Sequence, residues 1–146
     1  MKARRTILLV CTILSIILLA ACGGKKEEGI TVENVTLAKN LDENYQPVDP
    51  TTQFGPTDII YVSVEVKGRP ETGIITGKFY YGDQYISEAS VDLSSVNEGV
   101  IVSIGENTYI GFNLTPSTSW PVDSGYSFKL YIDNVEFGTY AYEVVQ

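Results

Sequence analysis

The sequence predicts an all-β protein: an antiparallel sandwich of about seven or eight short strands behind an N-terminal signal helix. Three observations carry this. Apolar and polar residues alternate with a period of two in eight separate segments between residues 30 and 145, the pattern of strands with one face in a core and the other in water. Glycine, proline, asparagine and aspartate collect between those segments, where chain reversals need them. Beyond residue 29, no segment keeps apolar residues at helical spacing over three turns.

The first residues stand apart. Lys2, Arg4 and Arg5 precede fourteen uncharged residues, 6 to 19, a basic front and a short apolar core laid out as in a secretory signal. A membrane-crossing helix needs about 20 apolar residues, and this run stops sooner, at Gly23-Gly24-Lys25-Lys26. It closes on Leu19-Ala20-Ala21-Cys22, which resembles the lipobox of bacterial lipoproteins. The resemblance implies that residues 1 to 21 are removed and that the thiol of Cys22 receives a diacylglycerol. Acyl chains such as palmitate would then anchor the protein in the membrane on its extracytoplasmic face. Each buried methylene contributes about 0.8 kcal/mol, so two or three chains hold firmly where one holds marginally. Cys11 would leave with the signal, and the mature chain would keep no thiol for redox or metal chemistry.

Residues 22 to 29 read as a flexible tether. Seven residues after Cys22 reach at most about 25 Å extended and about 15 Å as a coil, beyond the ~10 Å screening length in moderate salt. The full chain carries a formal charge of −8. Residues 1 to 21 hold three of the ten basic residues and none of the eighteen acidic ones, so without them the charge is −11. Nucleic acid and anionic lipid surfaces repel such a domain.

Residues 30 to 146 have the length of one domain. The alternating segments are 30–38, 58–68, 74–81, 84–93, 99–104, 108–114, 126–133 and 136–145. The second is the clearest: Ile60, Val62, Val64 and Val66 fall on one face, with Tyr61, Ser63, Glu65 and Lys67 on the other. Gly82-Asp83 and Asp133-Asn134 sit between strand-like runs as tight hairpin turns. The stretch 40–57 contains Pro47, Pro50 and Pro56, too much proline for a central strand, and is expected to cross from one sheet to the other.

Tyr126 begins the penultimate strand directly after an Asp-Ser-Gly turn, and this resembles the tyrosine corner of immunoglobulin domains. Phe79 lies in the third strand, where such domains bury a large aromatic. The stretch WPVDSGYSFKLYIDNVEFGTYAYEVV, about the last quarter of the chain, is similar to the end of many secreted bacterial immunoglobulin-like domains. The inter-sheet disulfide is missing. The resemblance implies an immunoglobulin-like sandwich and no particular activity, since that architecture hosts many functions.

Chemistry is narrowed by composition. The chain has no histidine, which removes the Ser-His-Asp triad, the Cys-His pair and the common histidine zinc sites. Carboxylate pairs such as Asp42 with Glu43, or Asp49 with Asp58, are the remaining acid/base candidates, and they lie in polar loops where solvation keeps them ordinary. Asp42, Glu43, Asn44 and Asp49 would be the ligands of a calcium site, but their spacing matches no known ligand pattern, and a solvated acidic loop is the expectation. No glycine-rich phosphate loop is present. Asn34-Val35-Thr36 and Asn113-Leu114-Thr115 have the form of glycosylation acceptors, incidental in a chain with a bacterial lipobox. No catalytic residue, metal or cofactor is expected.

The ten tyrosines are the best lead to a partner. Alternation points Tyr81, Tyr126, Tyr140 and Tyr142 inward and Tyr61, Tyr80, Tyr109 and Tyr131 outward. In an immunoglobulin-like topology the third, penultimate and last strands share a sheet, which sets Tyr80 and Tyr131 on its outer face beside Lys78 and Lys129. Aromatic residues with a polar tip suit protein interfaces and sugars, although tyrosine also stabilises sheets without any partner. Trp120, between Ser119 and Pro121, is expected to plug the sandwich edge. The reading is a lipid-anchored binding or accessory module for an envelope protein or glycan. The alternatives are a purely structural subunit of an envelope assembly and a small calcium-dependent or carboxylate-based hydrolase.

Overall fold

A computed structural model describes residues 29 to 95 and 101 to 146. The signal segment, Cys22 and all of the tether except Gly29 lie outside the described residues. Among the described residues ten strands follow in order: β1 (Val32–Leu41), β2 (Pro47–Pro50), β3 (Gln53–Phe54), β4 (Ile60–Val66), β5 (Ile74–Tyr81), β6 (Gln84–Asp92), β7 (Ile101–Ile104), β8 (Asn107–Leu114), β9 (Asp123–Ile132) and β10 (Val135–Val144). They form two five-stranded sheets. One has the order β2-β1-β4-β8-β7 and the other β3-β10-β9-β5-β6. Among the described residues, no helix is long and apolar enough to cross a membrane.

The expectation of an all-β, two-sheet protein holds, with two differences. Each of the eight alternating segments supplies one strand, and β2 and β3 are additional, both inside the proline-rich stretch. β2 pairs with β1 at one sheet edge and β3 with β10 at the other, so the stretch does cross between sheets. Pro47 and Pro50 are tolerated because an edge strand has one side free of ladder bonds. The second difference is that β3 runs parallel to β10, while the other pairs are antiparallel.

The core is the apolar half of each alternation. Ile60, Val62, Val64 and Val66 are all fully buried, facing Ile75, Phe79, Phe128 and Leu130 of the opposite sheet within one cluster. Phe128 lies at its centre, with ring centroids 5.1 Å from Phe79, 5.8 Å from Phe112 and 6.3 Å from Tyr140. Gly77 makes room for it, since a Cβ there would stand 2.6 Å from Phe128 Cε2.

A second aromatic group closes one end of the sandwich. Tyr126 stacks between Tyr81 and Tyr142 at 4.6 and 5.4 Å, and Trp120 meets it edge-on at 6.5 Å. The Tyr126 hydroxyl donates to the Pro121 carbonyl at 2.8 Å, the bond expected of a tyrosine corner. Trp120 donates from Nε1 to the Asp58 carbonyl at 3.1 Å and from its backbone N–H to Pro56 at 2.7 Å, stitching the β8–β9 link to the β3–β4 link as an edge plug does.

Both predicted hairpins form. Asp133 and Asn134 have φ of 48° and 67°, the double left-handed conformation of a type I′ turn, which short polar residues tolerate best. Gly82 turns the β5–β6 hairpin at φ 56°. Just beyond it the register shifts: Tyr80 pairs with Tyr85, but Phe79 pairs with Ser87, leaving Ile86 as a bulge. Everything in β6 after the bulge changes face. Glu88 is thereby set opposite Lys78, and Val91 opposite Ile75 in the core.

Candidate functional site

The predicted patch lies on the outer face of the β3-β10-β9-β5-β6 sheet. Lys78 and Lys129 are direct cross-strand partners, with Tyr80 and Tyr131 two residues further along β5 and β9. The strands are antiparallel, so the tyrosines end up on opposite sides of the lysine pair. The face therefore carries two crossed pairs rather than one flat platform: Lys78 Nζ sits 5.1 Å from the Tyr131 ring centroid, and Lys129 Nζ 5.1 Å from that of Tyr80. Both distances lie within the range of cation–π attraction.

Further side chains belong to this face, and the sequence reading missed them. Glu88 accepts from Lys78 at 2.9 Å, and this bond is the main reason the Lys78 ammonium is held above its usual range. Glu136 accepts from the Tyr131 hydroxyl at 3.3 Å and from Thr139 Oγ1 at 2.9 Å. Tyr131 is raised mainly by desolvation, with the Glu136 charge adding to it. Tyr85 meets Tyr80 edge-on at 6.0 Å and is 51% exposed. The Ile86 bulge explains why Glu88 was missed: in unbroken register it would pair with Gly77 on the core-facing side.

A second polar surface, which the sequence did not reveal, occupies the outer face of the other sheet. Two cross-strand rows form its floor, Asn34–Glu65–Tyr109 and Thr36–Ser63–Gly111, each running across β1, β4 and β8. The β1–β2 turn folds back over the second row. Tyr45 fits there because Gly111 has no side chain, and a Cβ at Gly111 would stand 2.5 Å from Tyr45 Cδ1. Three contacts fix the turn. Asp42 Oδ1 accepts from the N–H groups of Asn44 (2.8 Å) and Gln46 (2.9 Å), and Ser63 Oγ donates to the Tyr45 carbonyl at 2.6 Å. Tyr45 itself has φ 60°, a conformation that non-glycine residues adopt at a cost on the order of 1 kcal/mol.

Between turn and floor lies a cleft of about 260 Å³ lined by Asn34, Thr36, Gln46, Pro47, Ser63, Glu65 and Tyr109. At one end Glu65 Oε1 accepts from the Tyr109 hydroxyl at 2.8 Å and from Asn107 Nδ2 at 2.9 Å, while Glu33 accepts from the same Asn107 amide at 3.0 Å. The bond to Glu65 holds the Tyr109 hydroxyl above its usual range, with burial adding and Gln46 acting in the opposite direction.

Two of the candidate carboxylates, Asp42 and Asp58, are accounted for by local structure. Asp42 is engaged as the turn former just described. Asp58 forms an ion pair with Lys39 and accepts from the Gly55 N–H at 2.7 Å, and the Lys39 bond first, then the Gly55 bond, holds its carboxyl below the usual range. A carboxyl kept ionised in this way does not serve as a general acid near neutral pH. Among the described residues, no group of three or more Asp, Glu, His or Cys is placed to hold a metal ion.

No family model matches the chain, and neither does any curated protein. Among solved structures it is similar to the crystal structure of a CARDB domain from Pyrococcus furiosus in complex with di-metal ions. The two share 17% identity over 77% of this chain and 88% of that one, with a TM-score of 0.34. At that distance the site rests on this chain's own side chains.

Proposed function

We propose that this is a lipid-anchored cell-envelope protein: residues 1 to 21 are its signal peptide, 22 to 29 its tether and 30 to 146 an extracytoplasmic immunoglobulin-like domain that acts as a non-catalytic binding or accessory module. The observation that carries the reading is Leu19-Ala20-Ala21-Cys22 directly behind a basic and then apolar segment. The tyrosine-corner bond and the sharing of one sheet by β5, β9 and β10 support the immunoglobulin-like assignment. Membrane lipid, reached through acylated Cys22, is the first partner. An envelope protein or glycan docking on Lys78, Tyr80, Lys129 and Tyr131 is the second.

Cys22→Ser is expected to move the protein from the membrane fraction to the soluble extracytoplasmic fraction and to remove a lipid-sized mass from its N-terminal peptide. Unchanged partitioning would defeat the anchor. The docking face is tested separately by recovering partners from solubilised membranes with the wild type and with Tyr80→Ala/Tyr131→Ala. The double variant should lose at least about tenfold of the recovery, the equivalent of about 1.4 kcal/mol. The second reading, a purely structural subunit, is favoured by one observation: both lysines and both tyrosines of the face already have partners within it. Equal recovery by the two proteins would rule out docking at this face.

A further inference from the structure

We propose that the cleft between the β1–β2 turn and the outer face of the β2-β1-β4-β8-β7 sheet binds one neutral, hydroxyl-rich ring, a single sugar residue of a glycan. This site lies on the other sheet from the Tyr80/Tyr131 face, and it stands or falls without that face or the lipid anchor.

The cleft is built rather than incidental. Gly111 leaves the space that Tyr45 enters, and the turn carrying Tyr45 is held by Asp42 and Ser63 in spite of a left-handed tyrosine backbone. Backbone held in a sparsely populated region by its surroundings is typical of ligand-holding segments. The floor is prearranged too, because Tyr109 and Asn107 both bond to Glu65 Oε1 and orient its carboxylate.

The lining selects the chemistry. Among the described residues no lysine or arginine lines the cleft, while Glu65 does and Glu33 lies beside it, so an anionic ligand meets negative charge there without a described cation to offset it. An ammonium would satisfy Glu65 but offers no acceptor to the amide N–H groups of Asn34 and Gln46 or to the hydroxyl of Thr36. Vicinal hydroxyls both donate and accept, and they match a carboxylate, two amides and hydroxyls together. Pro47 and the Tyr109 ring supply apolar surface for the C–H face of a ring. At about 260 Å³ the cleft falls just below the roughly 300 to 1,000 Å³ of pockets for drug-sized ligands, which suits one ring and not a chain of them.

The test uses the full-length protein in a zwitterionic detergent free of sugar groups. Saturation-transfer NMR is run with N-acetylglucosamine and methyl glucoside as neutral probes, glucuronate as an anionic one and glucosamine as a cationic one. At least one neutral sugar should show saturation transfer with a dissociation constant of about 1 mM, the weak range of small polar ligands. Glucuronate should bind at least about tenfold more weakly. Asn34→Ala and Glu65→Gln should each weaken the neutral sugar by about tenfold or more, as expected for a lost hydrogen bond to an amide or a charged group. Asn34 is exposed, so its truncation leaves the fold intact and the unfolding transition should not move. The site is overturned if no neutral sugar gives transfer, if only glucosamine does, or if both variants bind as the wild type does.

Discussion

Phe128→Ala is expected to lower the stability of the sandwich by about 3 to 5 kcal/mol, the cost of emptying a buried phenylalanine site. Domains of this size are stable by about 5 to 15 kcal/mol, so this one side chain carries about a fifth or more of the margin. The reason is its position: fully buried, it touches aromatic rings from β5, β8 and β10, and so from both sheets. Urea unfolding checks the value, with a lowered midpoint and an unchanged slope expected. Gly77→Ala makes the complementary test, because its Cβ would stand 2.6 and 2.8 Å from the ring and overpacking costs about 1 to 3 kcal/mol. Combined with Phe128→Leu, which withdraws the ring edge, the alanine should cost less than it does alone. Strict additivity would mean that glycine stands at position 77 for a reason other than the ring.

Above about pH 10 the protein should lose stability steeply, and Tyr142 should account for a measurable part of the loss. Its ring is buried, and its hydroxyl has no hydrogen-bond partner among the described residues. Burial first, and then the neighbouring Tyr126, push its pKa well above the ordinary value. The folded value therefore exceeds the unfolded value of about 10. The stability linked to this proton is complete below pH 10 and declines as pH rises from there towards the folded value, by about 1.4 kcal/mol per pH unit. Tyr126 and Tyr140 are shifted the same way, again mainly by burial. Tyr142→Phe removes an unsatisfied hydroxyl and should stabilise the protein by about 1 kcal/mol at neutral pH. It should also flatten the alkaline decline, as read by urea midpoints at pH 8, 10 and 11. Parallel declines for the two proteins would show that Tyr142 ionises as freely in the fold as outside it.

Strands that bury one full face were legible because their alternation is a local property. β4 shows this best, with four consecutive inward positions all fully buried. Turn chemistry was legible for the same reason, as in the paired left-handed residues Asp133 and Asn134, and so was the corner bond of Tyr126. β2 and β3 were not, since four and two residues hold no period, and each exists only because a partner strand offers it an edge. The predicted patch was brought together as a neighbourhood, but its internal pairing was not foreseeable. The Ile86 bulge decides where Glu88 points, and bulges leave little trace in sequence. The cleft was hidden more deeply: Gly111 looks like a weak spot in a strand until Tyr45, sixty-six residues earlier in the chain, is seen resting on it.

β3 has a bearing on how the molecule folds. Its two residues lie alongside β10, where the Glu143 and Val145 N–H groups donate to the Thr52 and Phe54 carbonyls at 2.9 and 2.8 Å, and the Gln53 side chain reaches Glu143 at 2.7 Å. Phe54, fully buried, meets Tyr142 edge-on at 5.7 Å. These partners are some ninety residues apart in the chain, so the latch can form only after nearly the whole domain has been synthesised. Closures of such long loops are slow steps, and sandwiches dominated by them fold in milliseconds to seconds. Until the latch shuts, Phe54 has no core to enter, and the edge of β10 beside it is open to pairing with other chains. A two-residue strand thus covers the edge of β10 beside Phe54 at Glu143 and Val144, and can do so only late.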